Sequence, residues 1–157
     1  MCLSLGGGDP QSMCQPIVEP TPKARMWQGI LTAFGFVHLG LAIMYLFSNM
    51  MAGVYEVITV AVLFCSIASV NFCCLTLYMI YITMNFFTSI SLIGLTIQNK
   101  RFDEVYDSKN SPIVFQFTVT ILLCIYYVAA LIVCFLAYRE FKGMLFDAHG
   151  AQGSQPA

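Results

Sequence analysis

Charge is what this chain has least of. Of its 157 residues only 10% are charged, and the formal net charge is −1; a soluble domain carries about 25%. No basic run is long enough to hold phosphates, which excludes nucleic acid as a partner and a polybasic attachment to anionic lipid. The patterns of enzyme chemistry are missing as well. There is no paired-carboxylate site, no His-Glu-x-x-His, and no Cys-x-x-Cys beside a histidine; His38 and His149 lie far apart. No catalytic residue, cofactor or metal is therefore expected. Asp103, Glu104 and Asp107 lack the spacing of a calcium loop and read as a solvated connection. No glycosylation sequon marks an outer loop. Residues 1–25 contain no apolar core of a signal peptide, so none is expected. Seven cysteines, an odd number with five in apolar segments, argue against a disulfide framework.

What the chain has is apolar length. Apolar residues make up 59%, and mean hydropathy is +0.78. Residues 57–99, 43 in a row, hold no charged side chain. One helix of that length would run on the order of 65 Å, about twice the hydrocarbon core of a bilayer. The run is most simply two spans joined by a tight turn. Four spans are predicted in all, near residues 29–48, 54–72, 75–97 and 113–138. The fold class is all-α: an integral membrane four-helix bundle over 26–146, with short loops. Disordered tails are expected at 1–25, rich in Gly and Pro, and at 147–157.

Punctuation supports this layout. Trp27 suits the headgroup level, and Lys23 and Arg25 before it favour a cytosolic N-terminus. Asn49 to Gly53 read as a short turn. The second hairpin bend falls near residues 71–76, with no Gly or Pro to fix it. Pro112 suits the first turn of the fourth helix. An even number of crossings leaves both termini cytosolic.

Polar groups at bilayer depth are the candidate sites. His38 sits mid-span, with Asn71 and Asn85 as embedded amides. The imidazole is either a proton-handling group or a neutral ring bonded to a neighbouring helix through Asn71, Asn85 or a hydroxyl. Glu56 is placed at the membrane surface with Tyr55, so no embedded carboxylate is expected beside His38. Tyr126 and Tyr127 lie mid-span and require hydrogen-bond partners. Small residues form three stripes at helical spacing, read as packing faces for other helices or a second copy: Gly29, Ala33 and Gly40 with Phe36; Ala61, Cys65 and Ala68; Ala130, Cys134 and Ala137.

Cys2, Cys14, Cys73 and Cys74 are candidates for S-acylation, or else plain thiols. Tyr138 and Phe141 fit a tyrosine-based sorting pattern, or else anchor an interfacial continuation of the last helix. In hydropathy and loop lengths over residues 26–146 the chain resembles the small four-span proteins of Golgi and vesicle membranes, of MARVEL-like or COPI-associated type. The resemblance implies a non-enzymatic role in trafficking or membrane organisation in the Golgi–endosome system, or at the plasma membrane, through lipids and other transmembrane proteins. The alternatives are a small channel or transporter using His38 and the embedded amides, or a subunit of a larger membrane complex.

Overall fold

A computed structural model describes the backbone of residues 20–98 and 111–152, and side chains over 20–98 and 113–144. The described chain forms four helices: α1 (Pro22–Ser48), α2 (Met50–Ser69), α3 (Phe72–Gln98) and α4 (Ser111–Gln152). All four contain segments long and apolar enough to cross a membrane. The protein is an all-α, four-helix, multi-pass membrane bundle.

The turns are shorter than the sequence suggests. α1 and α2 are separated by Asn49 alone, which closes one helix and opens the next. Its N–H donates to the Tyr45 carbonyl at 2.8 Å, and its Oδ1 accepts from the Ala52 N–H at 3.2 Å. One residue thus satisfies an orphan carbonyl and an orphan amide. Hairpin closure this tight needs Gly53, because a Cβ there would collide with the backbone of Leu46. The α2–α3 reversal uses Val70 and Asn71. Val70 takes the left-handed conformation, φ 49°, which a β-branched residue adopts at a cost of about 1–3 kcal/mol. Asn71 Oδ1 then accepts from the Cys73 N–H at 2.8 Å and caps the start of α3.

α1 packs against α2 and α4, and α3 against the same two, so the helices form a ring in chain order. α1 turns Leu31, Gly35, His38, Ala42 and Tyr45 inward. α2 contributes Glu56, Val60, Leu63 and Ile67, and α3 contributes Leu75, Tyr78 and Ile82. α4 adds Leu123, Tyr126, Tyr127, Ala130, Cys134 and Ala137. Phe36, Phe47, Met84, Phe87, Ile125 and Ile132 project outward, as side chains bathed in lipid do.

The small-residue stripes divide. Ala130, Cys134 and Ala137 pack inside, as expected. The α1 stripe does not. Gly29, Ala33, Phe36 and Gly40 all face outward, and nothing lies within 4 Å of a Cβ placed at Gly29 or Gly40. Ala61 and Ala68 are exposed too. The inward face of α1 is set by its large and polar residues. Both tail boundaries also move: α1 begins at Pro22, with Thr21 as N-cap, and α4 continues to Gln152. Residues 1–19, 99–110 and 153–157, including the polar connection with Asp103, Glu104 and Asp107 and the remainder of both expected tails, lie outside the described residues.

The start of α1 meets the C-terminal part of α4. Lys23 Nζ and Glu140 Oε1 are 2.9 Å apart, a partly exposed pair worth at most about 1 kcal/mol. Its value is topological, for it places the start of α1 and the C-terminal part of α4 on one face of the bundle. Replacing Gly53 with Leu is expected to destabilise the folded protein by about 1–3 kcal/mol, through overpacking at the first hairpin. The check is an unfolding titration in detergent, with Gly40→Leu as a near-neutral control.

Candidate functional site: a buried polar cluster

The physics of an ion in hydrocarbon sets the terms here. A charged side chain in a bundle interior is costly unless paired and fully hydrogen-bonded. His38 is 0% exposed and Glu56 4%. Among the described residues no other side chain with a formal charge or an imidazole is buried. The two meet each other: His38 Nε2 lies 2.9 Å from Glu56 Oε2.

The placement of Glu56 corrects the sequence reading, which kept it at the membrane surface. The reason is the brevity of the first turn. With α2 starting at Met50, Glu56 lies two turns into the helix, on the order of 10 Å along the axis from Asn49. Neighbouring Tyr55, 100° around the helix, is 65% exposed. Glu56 therefore interrupts the apolar sequence without marking the end of a span.

The remaining bonds radiate from this pair. Glu56 Oε1 accepts from Tyr127 Oη at 2.5 Å and from Asn85 Nδ2 at 2.9 Å. His38 Nδ1 is 3.1 Å from Tyr78 Oη, which is 3.1 Å from Tyr126 Oη. Tyr126 Oη donates to the Phe34 carbonyl at 3.1 Å. The rings crowd together as well, with the His38 and Tyr126 centroids 4.7 Å apart. The cluster bridges both diagonals of the ring: His38 to Tyr78 joins α1 to α3, and Glu56 to Tyr127 joins α2 to α4. No described buried side-chain nitrogen or oxygen lacks a hydrogen-bond partner.

The other expected site residues go elsewhere. Asn85 joins the cluster through Glu56, while Asn71 is spent on the cap of α3. Tyr78, Tyr126, Tyr127 and Glu56 complete the site without having been grouped with His38 from sequence. Their signal lay in helical phase, since Glu56, Thr59, Val60, Leu63, Ser66 and Ile67 share one face of α2.

Tyr138 and Phe141 lie within α4, so the sorting pattern is not displayed as an extended peptide. Phe141 is 1% exposed, and the Tyr138 ring packs on Phe72 with centroids 6.0 Å apart. Lys142 Nζ lies 5.7 Å over the Tyr138 ring, an anchoring arrangement. Cys73 is disulfide-bonded, contrary to the expectation of plain or acylated thiols at that position, whereas Cys74 is a free, half-buried thiol. Cys2 and Cys14 lie outside the described residues.

The cluster divides the substitutions sharply. Glu56→Ala strands His38, Tyr127 and Asn85 together, and a loss of about 3–5 kcal/mol is expected. Asn85→Ala removes one embedded hydrogen bond, worth about 0.6 kcal/mol on average and at most about 1.7. Unfolding titrations of the two variants in detergent check this; equal, small losses would contradict the arrangement.

Compared with protein-family models, with curated proteins and with solved structures, the chain matches none. What it is rests on its own residues: a four-span membrane bundle closed around a buried histidine–glutamate pair.

Proposed function

We propose that this four-span protein is a non-enzymatic organiser of Golgi–endosome membranes. It serves vesicle trafficking through contacts with lipids and with other transmembrane proteins, in the manner of the MARVEL-like and COPI-associated proteins it resembles in layout. One observation carries the reading: the polar groups of the core are turned inward and bonded to one another, while large apolar side chains project outward from every helix. Such a molecule meets its surroundings through lipid-facing contacts. The outward α1 stripe of Gly29, Ala33 and Gly40 suits a further helix, from a second copy or another transmembrane protein. The Lys23–Glu140 pair brings the start of α1 and the C-terminal part of α4 to one face; Lys23 and Arg25 favour the cytosol for it, whereas the Cys73 disulfide at the same end favours an oxidising compartment. A tagged copy is expected on Golgi and endosomal membranes by imaging, with epitopes at both ends accessible from the cytosol. Confinement to mitochondria would contradict the reading.

The buried His38–Glu56 pair favours a second reading, a small proton-linked channel or transporter, or an accessory subunit of one. Intramembrane carboxylate and imidazole groups commonly serve proton pathways. Reconstitution into liposomes separates the two readings. The first expects no flux above that of empty liposomes; the second expects pH-dependent flux that His38→Ala abolishes.

A further inference from the structure

The cluster has a direction, and following it end to end fixes every proton but one. Tyr126 Oη spends its only hydrogen on the Phe34 carbonyl. Across the 3.1 Å contact between the two phenols, Tyr78 must therefore be the donor. With its hydrogen so used, the Tyr78 oxygen can only accept from His38, so His38 Nδ1 carries a hydrogen. At the other end, Tyr127 and Asn85 both donate to Glu56 Oε1, leaving that oxygen bare. A single position stays open, on the 2.9 Å line between His38 Nε2 and Glu56 Oε2.

We infer that this line is a binding site for one proton, and that the closed bundle requires it to hold one and no more. With the proton on Nε2 the pair is imidazolium and carboxylate; with it on Oε2 the pair is imidazole and carboxylic acid. The net charge of the pair is zero in both, and every bond in the cluster survives the transfer. A second proton places two hydrogens face to face across 2.9 Å and leaves a net positive charge in an apolar interior. Loss of the only proton sets two lone pairs against each other and leaves a net negative charge. Either change opposes the contact that joins α1 to α2.

The surrounding groups do not relieve that constraint. From α1 the site is approached by His38 and, further along, Tyr45; from α2 by Glu56; from α3 by Tyr78; from α4 by Tyr126, Tyr127, Cys124 and Cys134. All except the pair itself are phenols and thiols, which ordinarily keep their protons through neutral pH. No buried lysine or arginine stands among the described residues to offset a change in charge.

The consequence follows from counting protons. When the helices part and water enters, the two side chains no longer share a proton; an exposed glutamate ordinarily loses its proton near about pH 4.3 and an exposed histidine near about 6.5. Above about pH 6.5 the open form holds fewer protons than the closed one, so rising pH favours opening. Below about pH 4.3 the open form holds two, so falling pH favours opening. The closed bundle is most stable between these limits, and outside them the opening equilibrium shifts by up to about tenfold per pH unit. This inference is independent of which membrane carries the protein and of either reading under Proposed function.

Thermal unfolding of the full chain in lipid nanodiscs, across about pH 4 to 9, tests it. The wild-type midpoint is expected to peak in mildly acidic buffer and fall on the alkaline side. The double variant His38→Gln with Glu56→Gln keeps a polar pair without a titrating proton, and its profile is expected to be flat. A flat wild-type profile, or a peak that persists in the double variant, would overturn the inference. Should the double variant not fold, the infrared carboxyl band of isotope-labelled Glu56 in the wild type decides. Its protonation is expected to stay constant wherever the bundle is folded; a carboxyl that titrates within the intact bundle would overturn the one-proton site.

Discussion

A buried histidine–glutamate pair that lipid cannot solvate is the constraint around which this bundle is arranged. Taking such a pair out of water is costly, by several kcal/mol per ion where the two groups are charged, even after relaxation. Their attraction offsets that cost only when the remaining lone pairs and hydrogens are also satisfied. The protein meets the condition with four further groups from two other helices: Tyr78 and Asn85 on α3, and Tyr126 and Tyr127 on α4. Apolar faces alone hold lipid-embedded helices together weakly, because the surrounding tails are as apolar as leucine. A cluster that touches all four helices supplies the specificity that apolar contact lacks.

The tight turns and the cluster depend on each other. Asn49 as a one-residue joint sets the register of α2 against α1. Gly53, close against the Leu46 backbone, lets the two helices meet immediately after the turn. A longer loop would raise Glu56 toward the headgroups, where water would compete for it. Across the bundle, Gln28 Nε2 donates to the Ile67 carbonyl at 2.8 Å, which ties α1 to the last turn of α2 where carbonyls lose their helical partners. The described polar residues of these spans thus serve the central cluster, the helix ends or, like Thr59, Thr83 and Thr120, a carbonyl of their own helix.

Much of this was legible in the sequence. A charge-free run of 43 residues cannot be one span, so the reversal inside it and the four-helix count follow from length alone. The need of Tyr126 and Tyr127 for partners was equally plain. In sequence Glu56 reads as a boundary because it is a lone charge between apolar runs, and only the three-dimensional turn shows that it is buried in the bundle. The α2–α3 bend was hard to fix because Val70, not Gly, takes the left-handed position. The α1 stripe faces outward because small residues mark a face that can approach a helix without saying whether that helix belongs to the same bundle. Helical phase was the better guide: Leu31, Gly35, His38, Ala42 and Tyr45 lie on one side of α1, and that is the side that packs.

The bundle is therefore held around the meeting of His38 and Glu56 in its interior. Solid-state NMR of the lipid-embedded protein, labelled with nitrogen-15 in His38 and carbon-13 at the Glu56 carboxyl, measures that meeting directly. A strong dipolar coupling between Nε2 and the carboxyl carbon is expected, as the 2.9 Å contact requires. No coupling, with the Glu56 carboxyl in contact with bulk water, would contradict the account.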